Sequence, residues 1–107
     1  MSIQQLPPKN CSEIIAKDNQ IQCIDVREPY EYDLGNIGFV NIPMSETLNI
    51  SEQFDKEKQT IILCRSGKRA EAVANLLSTE YNFTSLIIVA GGITAWKETI
   101  DNTIQLD

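Results

Sequence analysis

The stretch Cys64-Arg65-Ser66-Gly67-Lys68-Arg69 decides the fold of this 107-residue chain, because of what stands on either side of it. Before it, Thr60-Ile61-Ile62-Leu63 is short, continuous and rich in β-branched residues, the pattern of a strand buried on both faces. After it, Ala70, Val73, Ala74, Leu77 and Tyr81 recur at helical spacing and mark one face of an amphipathic helix. The hexapeptide is therefore a strand-to-helix turn. Such a turn aims free backbone N–H groups and the positive end of the helix dipole at one spot, which suits an anion. A thiol at its first position, flanked by Arg65, Lys68 and Arg69, sits where each neighbour favours the thiolate.

Outward from the turn, the chain alternates strands with helices. Ile3 to Leu6 reads as a short edge strand closed by Pro7-Pro8, and Asn10 with Glu13 has the form of a capping box for a brief helix through Lys17. Ile21 to Val26 is a strand, with Cys23 as a small buried hydrophobe. Asp25-Val26-Arg27-Glu28-Pro29 ends that strand and starts a helix that runs toward Gly35, with Asp25 and Arg27 as a structural ion pair. Val40-Asn41-Ile42-Pro43 is another short strand, and Ser45 to Phe54 forms short helical turns. Leu86 to Val89 is an apolar strand. Gly91-Gly92 then supplies a positive-φ turn into a last helix over Ile93 to Ile100, with Trp96 in the core. The tail from Asp101 to Asp107 is polar enough to fray. This order predicts an α/β fold, a central parallel β-sheet flanked by helices on both faces, in one domain over 1–107.

Composition narrows the chemistry. A formal net charge of −6 and a pI near 4.5 disfavour nucleic acid and anionic membrane as partners, so the cationic turn is a local exception suited to a small anion. Histidine is absent, which removes Cys-His dyads, Ser-His-Asp triads and His-ligated metals. Cys11 and Cys23 are isolated and make no CxxC pair; Cys11 reads as a surface thiol. No metal or cofactor is expected. Three cysteines without disulfide spacing, no signal peptide and no apolar span point to the cytoplasm.

Asp25-Val26-Arg27-Glu28-Pro29, Gly35-Asn36-Ile37, Asn41-Ile42-Pro43, the Cys64 to Arg69 hexapeptide and Gly91-Gly92-Ile93-Thr94-Ala95-Trp96 occur in one order. In that order the chain resembles a rhodanese-like sulfurtransferase over roughly Ile21 to Trp96, and in particular the rhodanese modules that accompany ubiquitin-activating-like adenylyltransferases. The resemblance implies that Cys64 is the nucleophile. It would take sulfane sulfur from thiosulfate or a similar donor, hold it as a persulfide and pass it to a thiol, cyanide or a sulfur-carrier acceptor. By the same resemblance, Arg65, Ser66, Gly67, Lys68 and Arg69 form the substrate cradle, and Asp25 and Arg27 belong to the motif that braces it. The partners it implies are a small anionic sulfur donor and a sulfur-acceptor protein or adenylyltransferase. Asn36 stands where many relatives carry histidine, and the segment before Asn41 is one residue shorter than the usual form, without its proline.

Two other functions use a cysteine loop of this kind. Cysteine-dependent phosphatases and arsenate reductases place the loop arginine one residue later; here position 70 is Ala70, and the resemblance implies that a six-residue loop fits sulfur where a seven-residue loop fits phosphate. A non-catalytic sulfur-sensing or protein-binding module is the other alternative, against which the intact cysteine argues. Three cations at a helix N-terminus oppose the dipole by ~0.3–1 kcal/mol each, a cost expected only where an anion binds.

Overall fold

In a computed structural model, which describes residues 2–107, the apolar run before the hexapeptide forms the middle strand of a five-stranded parallel sheet. The strands are β1 (Ser2–Leu6), β2 (Gln22–Asp25), β3 (Val40–Asn41), β4 (Thr60–Leu63) and β5 (Ser85–Val89), in the order β1-β5-β4-β2-β3. All four residues of β4 are buried, and Ile61 and Ile62 pair with Cys23 and Ile24 on one side and Ile87 and Ile88 on the other. The expected edge strand is present, and its largely exposed residues match its place at the sheet's border.

Side chains alternate along β4, so the sheet seals two cores. Ile62, Ile24 and Ile88 face a cluster built with α3 (Thr47–Gln53) and α4 (Lys68–Tyr81), through Ile50, Val73, Ala74 and Leu77. Ile61, Leu63, Ile87 and Val89 face the other cluster, built with α1 (Pro8–Lys17) and α5 (Gly92–Thr99) through Cys11, Ile93 and Trp96. Helices thus cover both faces. Trp96 is in the core and meets Phe39 edge to face, with centroids 6.2 Å apart. A short α2 (Pro29–Leu34) follows β2.

Three local expectations differ from what is seen. Asn10 lies inside α1, whose first residue is Pro8 and whose N-cap is Pro7; proline's fixed φ and missing N–H suit a first helical position, so the Pro-Pro pair starts this helix besides ending β1. Cys11 is fully buried, not a surface thiol, because it lies on the inner face of α1. The tail does not fray. Ile104 is buried, Leu106 packs against the same cluster, and the Gln105 backbone lies so close to Gly35 that a Cβ there would meet its oxygen at 2.1 Å. Gly35 therefore ends α2 in an extended conformation and is needed for close approach rather than for a left-handed turn.

Candidate active site

In a parallel sheet the carboxyl ends of all strands share one edge, and the turns that leave them define a crevice. The hexapeptide leaves β4 there. Its neighbours are the Gly91-Gly92 turn after β5 and the Asp25 to Arg27 segment after β2. These are three of the five motifs read in the sequence, and the sheet order makes them adjacent.

The turn closes through its own backbone. Gly67 has φ +108 and acts as the N-cap of α4, so Lys68, Arg69 and Ala70 begin the helix with N–H groups that have no intrahelical acceptor. Cys64 is buried, and its Sγ accepts hydrogen bonds from the Gly67 N–H at 3.0 Å and the Ala70 N–H at 3.3 Å. The start of α5 holds the loop from behind: Ile93 N–H donates to the Cys64 carbonyl at 2.9 Å and Thr94 N–H to the Arg65 carbonyl at 3.2 Å. Gly92 permits this approach, since a Cβ there would meet the Arg65 and Cys64 carbonyl oxygens at 2.4 and 2.5 Å.

Asp25 and Arg27 form the expected ion pair. Both are buried, with Arg27 Nη2 2.8 Å from Asp25 Oδ2 and Nε sharing both carboxylate oxygens at 3.1 Å. Arg27 also donates to the carbonyls of Glu31 and Gly35, pinning α2, while Asn41 Nδ2 donates to the carbonyls of Asp25 and Arg27. No charged atom of this network is left bare, which is what a buried pair requires. Asn36 closes a local turn: its Nδ2 donates to the Tyr32 carbonyl and its Oδ1 accepts from Gly38 N–H.

The cations of the loop are disposed differently from what the sequence implied. Arg69 forks onto Glu31, with Nη1 to Oε1 at 2.7 Å and Nη2 to Oε2 at 3.0 Å. That fork lowers the Glu31 carboxyl to about 2 and raises the Arg69 guanidinium further. Arg65 turns outward, its Nε donating to Thr94 Oγ1 and its Nη1 paired with the Asp107 carboxylate. Lys68 and Ser66 are exposed. The cost of three cations at a helix start is thus met in two cases by carboxylates of the protein itself. Glu31 and Asp107 are the residues that sequence reasoning missed. Glu31 carried a signal, since it follows Glu28 at the spacing of a capping box and its Oε1 accepts from Glu28 N–H. Asp107 carried none.

Burial raises the thiols of Cys11 and Cys23 to about 11, and repulsion from Cys11 adds to the rise at Cys23, as is usual for inert cysteines. The cup around Cys64 can hold an anionic sulfur against backbone N–H groups.

A family model for the rhodanese-like domain matches residues 8–99, and the chain belongs to that family. A protein named putative sulfurtransferase YtwF, from Bacillus subtilis, is 35% identical over 98 residues, covering 91% of this chain and 93% of its own length. A putative sulfur carrier protein of the same species, YrkF, is 28% identical; this chain spans 51% of it. The chain spans only 30% of a chloroplast protein from Arabidopsis thaliana, with rhodanese-like and PpiC domains, to which it is 34% identical over 91 residues. Among solved structures, a rhodanese-related protein from Thermoplasma volcanium superposes with a TM-score of 0.76 at 29% identity, covering 89% of this chain and 91% of that one. The rhodanese fold is therefore established, and the relatives' names support a role in sulfur transfer.

Proposed function

We propose that this chain is a sulfurtransferase in which Cys64 takes sulfane sulfur from thiosulfate or a similar donor, carries it as a persulfide and delivers it to a thiol, cyanide or a sulfur-carrier protein. The observation that carries the proposal is the pair of backbone N–H groups, from Gly67 and Ala70, that converge on Cys64 Sγ in a six-residue turn. Hydrogen bonds to an anion are stronger than those to a neutral group, so this cup favours a sulfur anion before and after transfer. With thiosulfate, the Cys64 thiolate attacks the outer sulfur, a new S–S bond forms, the old one breaks, and its electron pair leaves with sulfite. The acceptor repeats the step on the persulfide's terminal sulfur and returns the thiolate. Sulfite leaves as the anion of a weak base and needs no proton delivered to it, so the absence of histidine is no obstacle.

The substrate cradle is the loop backbone of Arg65 to Arg69 with Lys68 at its mouth, and Asp25 and Arg27 act on it through α2. Residues 1–107 form one domain in this proposal, and the cytoplasm is its compartment, in keeping with three free thiols; no helix among the described residues is long and apolar enough to cross a membrane. A partner adenylyltransferase is a proposal of the same standing, resting on the name of a Drosophila relative, an adenylyltransferase and sulfurtransferase, of which this chain spans 20%.

The non-catalytic module keeps one observation in its favour: two loop cations already have protein carboxylates. Intact mass after incubation with donor separates the two. A chain heavier by one sulfur atom, lost in Cys64→Ser and discharged by cyanide as thiocyanate, is the expected result; an unmodified wild type with every donor would leave only the binding module.

A further inference from the structure

The hexapeptide carries three cations, and the fold brings a carboxylate to two of them. Glu31, itself buried and from α2, takes both Nη groups of Arg69. Asp107 takes Arg65 on the outer side of the turn, where Thr94 Oγ1 fixes the Nε. Among the described residues no ion pair engages Lys68. At most one cation of the turn, the exposed Lys68, is therefore left outside an ion pair at a site that must already hold one negative sulfur. A dianionic donor would bring the total there to three negative charges. A protonated organic persulfide adds none, and its anion adds one. At the partly buried mouth of a turn, a charge imbalance of this size is not fully screened.

Resting on the sulfurtransferase proposal above, we propose that Glu31 and Asp107 are donor-specificity residues: by holding Arg69 and Arg65 in ion pairs they set the site for an organic persulfide, R–S–SH, in preference to thiosulfate. Neither carboxylate touches the reacting sulfur. The transfer balances without another reactant: Cys64–S⁻ attacks the terminal sulfur of R–S–SH, the S–S bond of the donor breaks with its electron pair on R–S⁻, and Cys64–S–SH forms.

The test compares kcat/KM for thiosulfate and for 2-hydroxyethyl persulfide, with cyanide as common acceptor, in wild type, Asp107→Asn, Asp107→Glu and Glu31→Gln. Intrinsic donor reactivity cancels when the ratio in a variant is divided by the ratio in wild type. Removing either carboxylate frees a cation, and the thiosulfate-to-persulfide ratio is expected to rise by about tenfold at low ionic strength and less at high salt. Asp107→Glu is expected to keep the wild-type ratio, which a merely structural contact would not require. Asp107 is exposed and its neutral variant is expected to fold, so the outcome does not hang on Glu31. A ratio unchanged in both neutral variants, with Cys64 still gaining sulfur in intact mass, would overturn the donor inference alone. No sulfur on Cys64 from either donor would overturn the sulfurtransferase proposal with it.

Discussion

Replacing Gly92 by alanine probes the seam between the turn and the helix behind it. Gly92 has φ +63, and its added Cβ would stand 2.4 Å from the Arg65 oxygen and 2.5 Å from the Cys64 oxygen, both backbone atoms that cannot swing aside. The left-handed conformation costs an L-residue ~1–2 kcal/mol. Relieving the overlap moves the turn off α5, weakening the hydrogen bonds from Ile93 and Thr94 N–H at ~1 kcal/mol each, with a further ~1–3 kcal/mol of overpacking. The sum, roughly 4–7 kcal/mol, is a large part of the ~5–15 kcal/mol that holds a typical domain. Gly38 is the control: it has φ +86, and its Cβ would meet nothing within 4 Å, so Gly38→Ala isolates the conformational term. Denaturant unfolding of both variants, with persulfide formation on whatever remains folded, gives the comparison. Gly92→Ala is expected to lose several times the stability lost by Gly38→Ala, and at least tenfold in transfer rate, because a displacement of about an ångström misaligns the cup. Equal losses in the two variants, with transfer intact, would refute the account of the seam.

Glu31 gives a pH signature. Its carboxyl is held at about 2 against an ordinary 4.5, so the ion pair's contribution is complete above the unfolded value and drains away as pH falls from 4.5 toward 2. Arg69→Met should flatten the acid limb of stability over that window, as followed by urea midpoints; an unchanged limb would mean that other carboxylates govern it. Alkylation of the native protein at pH 8, read by peptide mapping, should label Cys64 ahead of Cys11 and Cys23, whose thiols lie near 11; comparable labelling of Cys11 would show a core more open than its burial indicates. Cys64→Ser should keep its unfolding free energy to within about 1 kcal/mol, because a hydroxyl can accept the same two N–H groups, while gaining no sulfur in mass analysis.

What was legible in the sequence is what local rules control. The apolar run Ile61 to Leu63 of β4, the 3.6-residue period of α4 and the Gly91-Gly92 turn each follow from short-range patterning, and together they placed the cysteine at the carboxyl end of the central strand. The partners of the loop arginines were not legible. Arg69 meets Glu31 at a separation of 38 residues and Arg65 meets Asp107 at 42, distances at which only the assembled sheet decides who is near whom. The tail misled for a related reason. Its polar composition reads as a fraying end, yet Ile104 and Leu106 stand two apart, an extended pattern with one apolar face, and that face found the Trp96 cluster.

The same separation explains why counting cations in the hexapeptide overstated its charge, whereas its backbone N–H groups converge as expected. The Cys64 and Arg65 carbonyls are bound by α5, and a trans peptide points its N–H opposite its C=O, so the N–H groups of Arg65 and Ser66 face away from α5. The N–H groups of Gly67 and Ala70 point at Sγ itself. Two helix starts thus supply the site's positive potential: α4 directly, and α5 by fixing which way the loop peptides turn. Backbone dipoles of this kind do not titrate, need no side-chain ordering at the moment of transfer and cannot be paired off by a distant carboxylate. Side-chain cations can be, and two of the three have been. Under the proposed function, a site built this way would keep its hold on one sulfur anion whatever the charge of the donor, and would leave the choice of donor to Glu31 and Asp107.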